Sequence, residues 1–184
     1  MAYENEEDAK MKKILCIDVE ATCWESKNTF QRDEIIEIGV TPIDIATKTI
    51  GPSVGILVKP VKMEVSEFCT KLTTITPELL DREGVSFSRA IDTLKSKFGI
   101  KDSVFASWGA YDVSSIERNC RWNSIDSVIP RHVINVKSLF AACHGYTGGL
   151  DSCARDIGLE FEGTHHRGKD DSRMVARVLL SLMK

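Results

Sequence analysis

Two carboxylates two positions apart, Asp18 and Glu20, end the apolar run Ile14-Leu15-Cys16-Ile17. In an extended strand, side chains at i and i+2 leave the same face roughly 7 Å apart. Burying two negative charges there without compensation disfavours the ionised form. An oxygen-rich pair at that spacing suits a site for hard divalent cations. Taken alone, the spacing favours a strand end whose acids face solvent. The acids further along the chain reverse that balance.

Asp112 follows Trp108-Gly109-Ala110-Tyr111, just beyond the apolar stretch Val104-Phe105-Ala106-Ser107-Trp108. Open α/β sheets place ligands at such strand ends, although a plain helix N-cap also explains an aspartate there. The segment His165-His166-Arg167-Gly168-Lys169-Asp170-Asp171 leads into a helix expected from about Lys169 to Met183. Its inward stripe is Val175, Val178, Leu179 and Leu182. Asp171 lies four residues before Val175 and seven before Val178, which puts it on that stripe. Asp170 belongs with Arg173, Met174 and Arg177, on the solvent side. An inward acid needs a partner, and a metal shared with Asp18 and Glu20 would be one.

The elements that must position these groups follow from the pattern. Residues 1–11 read as a flexible arm, and residues 12–184 as a single domain with no repeat or low-complexity linker. A first strand runs to about Glu20, a second over 34–41 and a third over 55–58, joined as antiparallel hairpins; residues 23–32 form a polar loop. Thr76-Pro77 starts a helix that stops at Gly84, and Ser86 opens another that stops at Gly99. Strands over 104–108 and 132–136 then alternate with helices, including one over 150–157. Strands first as a meander and then alternating with helices imply a mixed α/β sheet with helices on both faces.

Asp18-x-Glu20, Asp112 behind a Trp-Gly-x-Tyr turn, and His166 five residues ahead of Asp171 together resemble the motifs of the DEDDh 3′–5′ exonucleases, a DnaQ-like group. Ser66 to Thr76 and His166 to Arg173 look most like the exoribonuclease branch associated with RNA interference and with histone-mRNA or ribosomal-RNA trimming, a look shared by KapD-like bacterial proteins. The resemblance implies an RNase H-like mixed five-stranded sheet, a three-strand antiparallel meander plus two further strands, flanked by helices. It implies release of nucleoside 5′-monophosphates from the 3′ end of single-stranded nucleic acid, preferentially RNA, with two Mg²⁺ ions that Mn²⁺ can replace. Asp18, Glu20 and Asp171 would hold one ion, Asp18 would bridge to the second, and Asp112 would assist through water. His166 would be the general base. The same resemblance puts Phe68 and Tyr111 near the terminal bases, Leu72 beside them, and Ala21-Thr22 near the terminal ribose. A DNA-directed proofreading or repair exonuclease and a catalytically silent nucleic-acid-binding module are the alternatives.

Composition bounds the rest. The chain has 184 residues, 42% of them hydrophobic, enough for one well-cored domain. A net charge of −3 argues against a long duplex-binding footprint but not against a small site gripping one strand end. Its six cysteines make no CxxC pair and no zinc-spaced cluster with histidine. No run reaches the length of a membrane span, and no apolar signal segment opens the chain. The expectation is a reduced, cytoplasmic protein without a membrane partner, its oligomeric state open.

Overall fold

The computed structural model describes residues 11–25 and 33–183. Almost all of the expected arm, residues 1–11, and most of the expected 23–32 loop lie outside the described residues. The sheet is built from β1 (Lys13–Ala21), β2 (Ile35–Asp44), β3 (Thr49–Ile50), β4 (Val54–Leu57), β5 (Val104–Ser107) and β6 (Val133–Asn135). Its order is β3-β2-β1-β5-β6, with β4 also pairing with β2. β2 runs antiparallel to β1, β3 and β4, whereas β5 is parallel to both β1 and β6. The mixed sheet expected from the sequence is therefore present, with the two-residue β3 as a sixth strand. A pairing that short has no periodicity to read.

Seven helices surround it among the described residues: α1 (Glu67–Thr73), α2 (Pro77–Glu83), α3 (Phe87–Ser96), α4 (Tyr111–Trp122), α5 (Val136–His144), α6 (Leu150–Asp156) and α7 (Gly168–Leu182). None is long and apolar enough to cross a membrane. Thr76 caps α2 by accepting the Leu79 N–H at 3.1 Å, with Pro77 in the first turn, as its sequence signals. α1 went unexpected; its cap is Ser66, whose hydroxyl accepts the Cys69 N–H at 3.0 Å.

The two faces of β1 have separate partners. Leu15, Ile17 and Val19 pack with Phe87, Ala90, Ile91 and Leu94 of α3 and Ile116 and Cys120 of α4. Ile14 and Cys16 face the other way, against Met174, Val175, Val178 and Leu179 of α7 and Phe140 of α5. Asp18 and Glu20 continue this second row by the two-residue period. They emerge where α7 begins, because the start of α7 rides directly over β2. A Cβ on Gly39 would sit 1.8 Å from the Gly168 carbonyl oxygen, so only glycine admits that approach. Met174, expected on the solvent side of α7, is instead fully enclosed at 1% exposure. The stripe is wider than a/d spacing suggests, since the helix packs on a sheet rather than on one neighbouring helix.

Candidate active site

A cleft of about 400 Å³ opens at the carboxyl ends of β1 and β5. Its lining includes Asp18, Glu20, Asp112, His166 and Asp171, drawn from β1, α4, α7 and the loop before α7. Gly39 pairs with Asp18 and Glu37 with Glu20 across β1 and β2, and the register shifts between Glu20 and Ala21. That irregularity ends regular pairing directly beside the acids, as bulges near sites do.

Asp112 is not the N-cap of α4: Ala110 holds that position, without a side-chain cap, and Asp112 lies in the first turn. Its carboxylate crosses to β1 and accepts the Val19 N–H at 3.0 Å, locking α4 beside Asp18 and Glu20. In α7, Asp171 faces the cleft, whereas the carboxylate of Asp170 turns outward to accept the Thr164 N–H at 2.9 Å. The helix register read from the Val175–Val178 stripe therefore distinguishes the two acids in the expected sense.

Ligand atoms of Glu20, His166 and Asp171 lie within 4.8 Å of one another, close enough to hold a metal ion. With Asp18 and Asp112 in the same cleft, the donor set is dominated by carboxylate oxygen, which suits a hard divalent cation better than zinc. His166 adopts a left-handed backbone, φ 58°, a region that histidine enters more readily than most residues. Its N–H donates to the Asp171 carboxylate, which ties the loop to the helix.

The acids are crowded against ionisation. Burial raises the Asp18 carboxyl far above the usual carboxylate range, reinforced by Asp112, Asp171, Glu20 and Glu37. Burial, then Asp171, Glu37 and Asp112, pushes Glu20 up to about 8, with Arg167 opposing. Burial raises Asp112 to about 6 against the Val19 N–H, and raises Asp171 to about 6 against the His166 N–H. Because these folded-state values exceed the unfolded ones near 4, the folded protein holds more protons between about pH 4 and pH 8. The stability these groups contribute is complete below that window and is lost as pH rises through it. The melting temperature in chelator should therefore fall between pH 5 and pH 8.5. A divalent cation that binds only the folded, ionised cleft should restore it, and Asp112→Asn or Asp171→Asn should shrink that restoration. A chelated protein that melts no lower at pH 8.5 than at pH 5, or melts alike with and without metal, would show that the acids do not share a site.

The other expected residues divide. Tyr111 lines the cleft, half-exposed, with its hydroxyl donating to Asp33 Oδ2 at 2.7 Å. Arg118 grips the same Asp33 at 2.7 Å and lies over the Tyr111 ring at 5.7 Å. Ala21, Thr22, Phe68 and Leu72 are outside the cleft lining. Ala21 and Thr22 are buried, and the Thr22 hydroxyl accepts the Glu34 N–H at 3.0 Å. Phe68 and Leu72 are 39% and 37% exposed on α1. That helix docks on the end of β1, where the Cys69 thiol donates to the Ala21 carbonyl at 3.5 Å and the Ser66 hydroxyl to the Cys23 carbonyl at 2.6 Å. Phe68 and Leu72 are thus only partly packed into the core. Val19, Trp108, Gly149, Leu150, Asp151 and His165 complete the cleft wall. Trp108 at its strand end was the legible one.

The family model described as exonuclease matches residues 15–179. The mouse (Mus musculus) "3'-5' exoribonuclease 1" is 28% identical over 188 residues, covering 96% of this chain and 54% of the relative. The mouse "ERI1 exoribonuclease 2" is 26% identical over 196 residues, covering 93% of this chain and 28% of the relative. The chain thus spans about half or less of these curated relatives. Among solved structures, the nuclease domain of 3'hExo, a DEDDh family member bound to rAMP, superposes with a TM-score of 0.85 at 24% identity, covering 96% of this chain and 94% of that one. That likeness establishes the fold.

Proposed function

The chain belongs to the exonuclease family, and from that premise we propose that it removes nucleoside 5′-monophosphates from the 3′ end of single-stranded RNA in a divalent-metal-dependent reaction. The observation that carries this reading is the convergence of Asp18, Glu20, Asp112, Asp171 and His166 in one cleft from separate parts of the chain. The preference for RNA draws on the relatives named exoribonucleases and on the rAMP-bound neighbour. Residues 12–184 act as one catalytic domain in this reading, with residues 1–11 as an arm. Six free cysteines, four of them buried, favour a reducing compartment such as the cytoplasm.

Asp18, Glu20 and Asp171 hold the cations, with Asp112 assisting, and Mg²⁺ is the natural choice for oxygen donors, with Mn²⁺ as its substitute. Two divalent ions, when bound, stabilise the charge added at phosphorus and ease departure of the 3′ oxygen. His166 accepts the proton of the attacking water at a ring nitrogen. Asp171 keeps the His166 backbone in place while sharing the cation site. Tyr111 presents its ring to a terminal base, its hydroxyl held by Asp33 and Arg118 lying over its ring. Phe68 and Leu72 extend that apolar surface, and the backbone at Ala21-Thr22 borders the terminal ribose.

A DNA-directed exonuclease would share every one of these groups and differ in sugar preference. A silent binding module would not need acids raised so far above their ordinary range. Rates on matched single-stranded RNA and DNA oligomers in Mg²⁺ separate the readings. Faster shortening of RNA is expected; faster shortening of DNA overturns the substrate class, and binding without shortening overturns the enzyme.

A further inference from the structure

Glu37 sits in the middle of β2 between Ile36 and Ile38, at 1% exposure, an expensive place for a carboxylate. Its partners all come from the start of α7. Arg167 Nε donates to Glu37 Oε2 at 3.0 Å, Arg167 Nη2 to Oε1 at 3.3 Å, and the Gly168 N–H to Oε2 at 3.0 Å. α7 has no side-chain cap of its own, so β2 supplies one from across the sheet. Glu37 is also the register partner of Glu20. The fork it makes with Arg167 closes one residue after His166, whose backbone is held at φ 58°.

We propose that Glu37 is a positioning residue of the cleft: by gripping Arg167 and the Gly168 N–H, it fixes His166 and Asp171 opposite Asp18 and Glu20. The inference rests on the exonuclease reading given above. The bidentate fork sets an orientation that a point charge would leave free. With Gly39 under Gly168, it leaves the start of α7 no room to slide.

The test compares the wild type with Glu37→Gln, which keeps size and one acceptor, and Arg167→Met, which leaves the Gly168 N–H bonded to Glu37. Three quantities are measured well below the melting temperature: kcat and KM on a single-stranded RNA oligomer, and Mn²⁺ binding followed by electron paramagnetic resonance. Residues that orient the groups around a metal typically change activity or metal affinity by about 10–100-fold. Losses of that size in kcat or Mn²⁺ affinity, with KM nearly unchanged, are expected. The double variant should lose no more than the worse single one, because both act through one fork. Folded variants with wild-type kcat and wild-type Mn²⁺ binding, and only a lowered melting temperature, reduce Glu37 to a helix cap and overturn the proposal. If the wild type itself shortens no oligomer, the exonuclease reading fails. The Mn²⁺ arm then decides Glu37 alone: weakened binding upholds it and unchanged binding overturns it.

Discussion

Asp18→Ala should leave a folded protein that no longer shortens RNA. Asp18 lies deepest in the electrostatic sense: its carboxyl is raised by burial and by Asp112, Asp171, Glu20 and Glu37. Removing it relieves repulsion in the metal-free protein, so its melting temperature in chelator should not fall and the melting curve is an internal control. The catalytic cost should be large, because in the proposed reaction this acid would help hold both cations. A Lewis-acid contribution of several kcal/mol corresponds to about 10³-fold or more in rate. Single-turnover cleavage of a labelled oligomer in saturating Mg²⁺ checks it, beside a circular dichroism melt of the same sample. A well-folded Asp18→Ala protein with near wild-type turnover would sink the two-metal scheme.

The second large effect separates adjacent histidines. His166 reaches the carboxylates of Glu20 and Asp171, with ligand atoms within 4.8 Å. His165 borders the same cleft but is held elsewhere, stacked on Phe161 at 3.7 Å between centroids with Nε2 3.8 Å from Asp151 Oδ1. A general base typically contributes about 10²–10⁴-fold. His166→Ala should lose activity on that scale while still binding Mn²⁺ and the RNA end, and the acidic limb of its pH–rate profile should disappear. His165→Ala should retain most of its activity. The opposite pattern, a crippled His165→Ala beside a healthy His166→Ala, would move the base one residue along the loop.

What could be read ahead of the structure was whatever local periodicity controls. The two-residue period of β1 places Asp18 and Glu20 on the Ile14–Cys16 face, and the helical stripe of α7 separates Asp171 from Asp170. Met174 was misplaced because the width of a buried face depends on what the helix meets, which lies outside the helix's own sequence. Asp112 was ambiguous for a similar reason: its acceptor role depends on Val19, 93 positions away. Glu37 did leave a mark, a charged residue inside the run Ile35-Ile36-Glu37-Ile38, yet its partner Arg167 lies 130 positions away. A buried acid in a strand announces that a partner exists, not which one. The substrate-side residues Phe68 and Leu72 are half-exposed on a seven-residue helix too short to show its own periodicity.

The most direct test of a metal-dependent exonuclease centred on Asp18, Glu20, Asp112, His166 and Asp171 follows a 5′-labelled single-stranded RNA through time. In Mg²⁺ the wild type should produce a descending ladder, one nucleotide per step from the 3′ end, with nucleoside 5′-monophosphates accumulating. The ladder should stop in excess chelator and resume when Mg²⁺ or Mn²⁺ is returned. Internal fragments appearing at once, degradation from the labelled end, or a ladder that persists in chelator would contradict the account.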